Sequence, residues 1–533
     1  MNRACILFTR VPKPGKTKTR LMPTFTPEAC AEIHEAFLED IYLQTKKISA
    51  DVFVNYTPED TKEEALRLWP GAKEAFPQKG KNLGERMQRA METVLSKGYD
   101  RVLLFGSDLP EITEEILETC FESLDEADVV LAPTTDGGYY LVGMKKPADI
   151  FNLKAYSHAG VFEDTVLEAQ KSGLTVKKGP RLCDIDTPED VERLLERIKT
   201  GETLPAATGV YLISKACMHC GKCKTACAFL DKYEIDLKGF AERSDLAYNC
   251  FLCNTCREVC PLHIDGRLIA LLARRRQVLQ EGGMEKKRYR MLRYEKDPYR
   301  YANYRKADRK TVLFTGCNFP AFYPKLINSL IEICARHNIG LVHDCCTKPI
   351  FELGLKENSD REVACLKKKL LERGVTELVF LCPSCYYFLK DRLPFKMTTI
   401  YAKLAEIGEG ERLAGKLPYY APCPDRKDGI FEQDLLKGFV PDGFTYPLLN
   451  LQCCGLGGCA CSCEPQLAKD MAKTGGSYKG KVYMTCASCA GNFKRAGNPE
   501  AEHILTLILQ RKEKLPPGLM PFFNRAKWKW RHV

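Results

Sequence analysis

The distribution of cysteine constrains this chain more than any other feature. Of 27 cysteines only Cys5, Cys30, Cys120 and Cys183 precede residue 205, and the other 23 lie between Cys217 and Cys489. Cys217, Cys220, Cys223 and Cys227 spell CxxCxxCxxxC, and Cys250, Cys253, Cys256 and Cys260 repeat it before Pro261. Structural zinc sites use two separated ligand pairs, so eight thiols in two triplets-plus-one fit iron–sulfur ligation better. A looser pattern then occurs twice: a cysteine after an apolar strand, a vicinal pair, and CxxC. Its first copy is Cys317, Cys345, Cys346, Cys382 and Cys385; its second is Cys423, Cys453, Cys454, Cys486 and Cys489. Adjacent cysteines point in diverging directions, which suits a polynuclear cluster rather than one tetrahedral ion. The repetition predicts a duplicated half-domain.

The chain has 533 residues, too many for one core, which predicts three or four domains. With 45% hydrophobic and 28% charged residues it is ordinary for a folded globular protein. No apolar run is long enough to span a bilayer, and only five apolar residues precede the first charge run at the N-terminus. Dense thiols without a secretion signal read as metal ligation in a reducing compartment, so a cytoplasmic protein is expected. Arg267 to Lys310 holds 15 Lys/Arg against 5 Asp/Glu. The tyrosine-rich stretch 286–310 and the terminal WKWRHV lack any nucleic-acid motif. A solvated linker docking an acidic redox partner or the inner membrane face accounts for the same residues.

Residues 1–204 alternate apolar runs with amphipathic stretches, the pattern of an α/β domain with a largely parallel, Rossmann-like sheet. Strands are expected at 4–9, 51–56, 101–106, 128–133 and 139–144, with helices near 27–47, 83–97, 112–124, 161–172 and 188–199. The loop after the first strand contains Gly15-Lys16-Thr17 but has Arg10 where a Walker A loop needs its first glycine. What remains is a basic loop, Arg10, Lys13, Lys16, Lys18 and Arg20, able to hold a diphosphate. GSDLP (106–110) places Asp108 at the carboxyl end of a buried strand, where open α/β sheets bind ligands. Asp136 stands on a glycine turn, and Asp184 and Asp186 precede Thr187-Pro188. These carboxylates can gather around Mg²⁺ or Mn²⁺, and each can also be a turn or cap residue.

The motifs PGKTKTRL, GSDLP, DGGYYLVG and DIDTPEDV together resemble a bacterial family with a GT-A fold, related to nucleotide-sugar glycosyltransferases and to guanylyltransferases of molybdenum-cofactor and F420 synthesis. The resemblance implies that Arg10, Lys16, Lys18 and Arg20 hold nucleotide phosphates. It further implies that Asp108 binds the divalent cation and that Asp136 with Gly137 and Gly138 shapes the acceptor side; Asp186 is the second expected cation ligand, and Asp108 and Asp136 are the expected catalytic residues. The stretch AYSHAGVFEDTV (155–166) departs from the family in lacking a tryptophan.

The paired CxxCxxCxxxC runs match the bacterial two-cluster ferredoxin pattern, in which each fourth cysteine crosses to the other cluster. The match assigns Cys217, Cys220, Cys223 and Cys260 to one [4Fe-4S] cluster and Cys227, Cys250, Cys253 and Cys256 to the other. The two five-cysteine sets resemble the CCG domains of heterodisulfide reductases and of iron–sulfur subunits for glycerol-3-phosphate, lactate and glycolate oxidation. That likeness implies one or two further clusters. The first vicinal pair departs from it in being followed by Thr347 rather than glycine. Cys459, Cys461 and Cys463 are additional thiols, either a further metal or redox site or small buried residues. Cys334 and Cys365 read as core, and His343 as structural rather than a ligand.

The expected organisation is thus a multidomain chain. A GT-A-like transferase (1–204) precedes a small helical two-[4Fe-4S] ferredoxin domain (205–275), a basic linker (276–310), two CCG domains (311–400 and 401–515) and a basic tail (516–533). The expected function is a metal-dependent glycosyl or nucleotidyl transferase, acting on a nucleotide-activated substrate, fused to an oxidoreductase. That module exchanges electrons with a disulfide, a quinone or a flavoprotein. The alternative is a redox-only protein with a nucleotide-sensing N-terminal domain.

Overall fold

The computed structural model describes residues 2–531 except 154, 157 and 283–285. Three residues of the basic segment, Ser157 in the 155–166 stretch and the last two residues of the tail therefore lie outside the described residues. Two compact units emerge, Met1–Ala216 with Leu279–Gly282, and Cys217–Val278 with Gly283–Val533.

In the first unit, alternation of apolar side chains builds a sheet covered on both faces. Its strands are β1 (Arg3–Thr9), β2 (Asp51–Tyr56), β3 (Glu74–Pro77), β4 (Arg101–Gly106), β5 (Val129–Pro133), β6 (Tyr139–Met144) and β7 (Val176–Lys178). They lie in the order β3-β2-β1-β4-β6-β5-β7. Cys5 and Leu7 of β1 face one apolar layer, and Ala4 and Ile6 face the other. The first layer is closed by α1 (Pro27–Thr45) and α4 (Glu114–Glu126). The second is closed by α3 (Leu83–Leu95) and α5 (Val161–Lys171), while α2 (Lys62–Leu68) lies between β2 and β3 in the chain. The five expected strands form. β3 and β7 escape sequence reading, because they are short and β7 is only half-buried. β6 runs antiparallel to both β4 and β5, since the Asp136-Gly137 turn returns the chain directly.

Thr187 starts α6 (Pro188–Thr200) in a capping box with Asp190. Residues 206–214, expected at the start of the iron–sulfur segment, instead form α7 (Ala206–Ser214) of this unit. The buried Asp40 carboxylate of α1 explains this, accepting the Ala207 and Thr208 N–H groups at 2.8 Å each.

The second unit begins with short helical turns and continues into two sheets. The first contains β8 (Asn303–Lys306), β9 (Thr311–Phe314), β10 (Gly340–His343), β11 (Glu377–Phe380) and β12 (Lys396–Thr399), in the order β12-β11-β9-β10-β8. The second pairs β13 (Leu417–Pro418) with β14 (Phe444–Thr445), and β15 (Val482–Met484) with β16 (Ala501–His503). A parallel Tyr419–Tyr483 bridge joins the two pairs. The resulting order β14-β13-β15-β16 repeats β10-β9-β11-β12 strand for strand.

The basic stretch expected as a solvated linker is folded into this unit. It supplies helix Arg290–Lys296 and the edge strand β8, antiparallel to β10. Arg274 and Lys296 are buried. The tail forms helix Met520–Ala526, and the buried Trp528 stacks on His343 with ring centroids 4.6 Å apart. Among the described residues no helix is long and apolar enough to cross a membrane.

Candidate functional site

The first candidate site lies at the carboxyl end of β4. A buried relay fixes the basic loop there: Thr17 Oγ1 lies 2.7 Å from His34 Nδ1, and His34 Nε2 lies 3.0 Å from Ser107 Oγ. The Thr9 hydroxyl donates to that same Ser107 oxygen at 2.9 Å. Burial pushes His34 down to about 4, so it is neutral at pH 7. Sequence reading missed His34, because one histidine within an apolar helix carries no spacing signal.

Lys18 adopts a left-handed backbone (φ 48°) and turns its side chain inward. Its Nζ lies 2.6 Å from Asp108 Oδ1 and 3.1 Å from Asp186 Oδ1, and it donates to the Ile185 carbonyl at 2.7 Å. Arg20, 75% exposed, pairs with Asp186 Oδ2 at 3.2 Å. Burial works against ionising Asp108, but the Lys18 ammonium beside it holds its carboxyl below the usual range. Asp136 accepts from the Thr134 hydroxyl and from Gly138 N. Gly137 in that turn has φ 94°, and a Cβ there would stand 1.9 Å from the Ala159 carbonyl oxygen. Burial pushes Asp184 up to about 6, reinforced by Asp136, Asp186 and Asp108.

The structure thus gathers Lys18, Arg20, Asp108, Asp136, Asp184 and Asp186. Lys13 is elsewhere, paired with Asp60 and Glu64 at 3.0 Å each. Arg10 donates to the Lys16 carbonyl at 2.8 Å and closes the loop on itself, while Lys16 stays exposed.

The second unit arranges its cysteines in four sets. Set A, Cys217, Cys220, Cys223 and Cys260, lines a small open pocket together with Leu237 and Ile264. His219 Nδ1, 2.7 Å from Asp236 Oδ2, stands at its rim. In set B, Cys227 lies within electrostatic reach of Cys250, Cys253 and Cys256. In set C the thiols of Cys317, Cys345, Cys346, Cys385 and Cys382 lie within electrostatic reach of one another in succession. In set D, Cys423 lies within electrostatic reach of Cys453 and Cys486, and Cys489 within reach of Cys454 and Cys486.

Backbone conformation repeats within each pair of sets. His219 (φ 54°) and Gly221 (φ 73°) flank the second cysteine of the first run as Leu252 (φ 54°) and Asn254 (φ 65°) flank that of the second. Left-handed backbone at His219 and Leu252 costs about 1 kcal/mol each, and the fold imposes it twice at the same position. Thr347 (φ 63°) after the first vicinal pair takes the same left-handed turn as Gly455 (φ 83°) after the second. Its hydroxyl is held 2.8 Å from Ser359 Oγ. The departure from glycine therefore leaves the turn intact. Cys382 and Cys486 share nearly identical dihedrals, φ −112° and −113°, each starting a helix: Pro383–Leu389 and Ala487–Arg495.

No cysteine is in a disulfide. Peptide N–H groups point at several sulfurs, Leu252 N to Cys250 at 3.4 Å and Gly455 N to Cys453 at 3.1 Å. Thiolate donors, wrapped loops and N–H groups aimed at sulfur are the surroundings an iron–sulfur cluster requires, and these residues fit one.

Two unforeseen polar residues adjoin the sets. Gln452 donates its side-chain amide to Cys227 Sγ (3.3 Å) and Cys253 Sγ (3.6 Å), immediately before Cys453. Cys453 lies within electrostatic reach of Cys253, so sets B and D adjoin. Lys348 lies within electrostatic reach of Cys346 of set C and Cys486 of set D, paired with the buried Glu352. Neither residue carries a motif. The thiol of Cys463 accepts from Arg288 at 3.0 Å, Cys459 is half-buried and Cys461 is exposed. Cys334 is core, as expected, and Cys365 is half-buried. Desolvation keeps the buried His343 neutral between Thr315 and Tyr299.

Comparison with known proteins separates the same two halves. The family described as "Uncharacterized protein conserved in bacteria (DUF2064)" matches residues 41–158. A 2-phospho-L-lactate guanylyltransferase of Methanothermobacter thermautotrophicus is 28% identical over 181 residues, 33% of this chain and 78% of its own. A protein of Desulfovibrio desulfuricans G20, described as a candidate nucleotide-diphospho-sugar transferase, is 32% identical. Its match covers 40% of this chain and 95% of that one, with a TM-score of 0.38. An uncharacterised iron–sulfur protein of Methanococcus maripaludis is 27% identical over 280 residues, 46% of this chain. The chain spans about half that relative's length, 55%. Residues 41–158 thus match the DUF2064 model, the N-terminal half is similar in sequence to a guanylyltransferase, and the C-terminal half is similar to iron–sulfur proteins.

Proposed function

We propose that this chain joins a metal-dependent transferase for a nucleotide-activated substrate to an iron–sulfur module that exchanges electrons with a redox partner. The transferase reading rests on the convergence of Asp108, Asp136, Asp184 and Asp186 around Lys18 at a strand's carboxyl end. Asp108 and Asp186 would hold Mg²⁺ or Mn²⁺, which supplies Lewis-acid neutralisation of the departing phosphate. Lys18 bridges those two carboxylates. With a cation on those carboxylates, the Lys18 ammonium would be available to the substrate's phosphates, beside the exposed Arg20. Asp136, fixed by Thr134 and the glycine turn, faces the acceptor.

We assign sets A and B to two ferredoxin-type clusters and sets C and D to CCG-type clusters. The carrying observation is that Cys227 and Cys260 each join the other run's triplet. Clusters bound there supply one-electron carriers. The chain's own groups tune them: Gln452 donates to set B sulfurs, and Lys348 sets a positive charge between sets C and D. A disulfide, quinone or flavoprotein that exchanges electrons at sets C and D would meet that charge.

The test incubates anaerobically purified protein with nucleoside triphosphates or nucleotide sugars, with and without Mn²⁺, beside Asp108→Asn. Turnover that needs the cation and falls at least a hundredfold in Asp108→Asn is expected, with nucleotide binding largely retained. Nucleotide binding without turnover in either protein would establish the sensor reading instead.

A further inference from the structure

The tail and the segment 290–301 build one surface. Arg525 Nε pairs with Glu295 Oε1 at 3.1 Å, and the Phe522 ring meets Tyr301 edge to face at 6.0 Å. The two segments that meet here present apolar side chains to solvent: Leu519 (75% exposed), Phe523 (50%) and Trp530 (66%) on the tail and Met291 (76%) on the other. So many large apolar groups together on a surface mark an interaction site.

The charges beside them have one sign. Lys512, Lys514, Lys527 and Lys529 are exposed, and the only acid between residues 509 and 531, Glu513, is buried and accepts the N–H groups of Lys325 and Leu326. In the neighbouring segment Arg290 is exposed, while Glu295 and Asp297 are ion-paired with Arg525 and Arg361. Exposed phenylalanine, leucine and tryptophan interleaved with lysine suit the headgroup layer of an anionic bilayer: rings enter the acyl boundary and ammonium groups meet the phosphates.

We propose that this face docks the protein on an anionic membrane surface. The claim is independent of the reading of the cysteine sets and goes beyond it. It has a consequence for them, because the face is anchored over set C. Trp528 is buried between the exposed Lys527 and Lys529 and stacks on His343. His343 Nε2 accepts from the Tyr299 hydroxyl at 3.2 Å, and Tyr299 packs with Cys317 and Cys345. Docking would thus bring set C to the bilayer surface.

The experiment is flotation of the full-length, anaerobically purified protein with vesicles of phosphatidylcholine, with and without phosphatidylglycerol. Binding only to phosphatidylglycerol vesicles, weakened by salt, is expected. A Lys527→Glu/Lys529→Glu double variant should bind at least tenfold more weakly, since each cation near such a surface contributes about 1 kcal/mol. Leu519→Ser/Phe523→Ser should lose binding comparably. All four positions are exposed, and an unchanged melting curve verifies folding. Wild-type protein that stays with the soluble fraction, or variants that bind like wild type, would overturn the proposal. So would a dimer that the serine variant converts to monomer, because a second copy would then cover the face.

Discussion

Gly455 and Thr347 perform one backbone task with different chemistry. A Cβ at Gly455 would stand 2.5 Å from the Ala468 carbonyl oxygen, at φ 83°. Gly455→Ala should therefore destabilise the second unit by about 2–3 kcal/mol and lower its iron retention, read by chemical denaturation and iron content. Thr347→Gly relieves left-handed strain but loses the contact with Ser359, two effects of about 1 kcal/mol each. Its stability should stay within about 1 kcal/mol of wild type. Arg274 is the opposite of what its place in a basic run suggests. It is fully buried and donates to the carbonyls of Ala247, Cys250, Glu352 and Gly458 at 2.7–3.0 Å. Arg274→Met leaves those acceptors unpaired and should cost about 3–5 kcal/mol in the same assay. Gln452→Leu removes two N–H donors from set B thiolates, which stabilise the reduced state. With a cluster present, a redox titration followed by electron paramagnetic resonance should show one signal shifted downward by about 59 mV, a tenfold change, while the others stay.

Among elements, α7 shows how one side chain decides where a segment belongs. Asp40 holds its first turn, and burial pushes that carboxyl up to about 6 despite the N–H groups of Thr208 and Ala207. The folded state then binds the proton more tightly than the unfolded chain, so this group's contribution to stability falls as pH rises from about 4 to 6. In Asp40→Asn that slope disappears. The stability of wild type relative to the variant should decline by about 3 kcal/mol across the window and stay flat above it, by denaturation of the first unit at several pH values. Elements with long apolar runs, such as β1, β4 and β5, are legible in sequence because burial on both faces leaves a continuous signal. β7, with Val176-Lys177-Lys178, and β8, with Asn303 to Lys306, are not, because edge strands are short and polar and their pairing partners are distant in sequence. The repeated spacing of the thiol runs was legible in sequence, whereas the crossing of each fourth cysteine to the other run was implied only by the ferredoxin likeness. The inward turn of Lys18 and the approach of Gln452 to set B were hidden, because both depend on tertiary placement of isolated polar residues.

At the scale of the whole molecule the two units rest on different physics. The first has a seven-stranded sheet with apolar layers on both faces, enough to be stable by burial alone. The second contains strands of two or three residues, β13 to β16, which hydrogen bonding alone holds weakly. Its loops converge on buried thiols, and clusters bound there would cross-link those loops. Cluster ligation is then part of the folding free energy of that unit and not of the first. Full occupancy of four sets by four-iron clusters corresponds to about 16 iron and 16 sulfide per chain. Oxidative removal of the iron in the presence of a chelator should lower the calorimetric transition of the second unit by tens of degrees or abolish it. The transition of the first unit should stay in place, and with it Mn²⁺-dependent transferase turnover. If both transitions fell together, the transferase domain would depend on the iron–sulfur module for its fold, and two self-sufficient cores would be the wrong description of this chain.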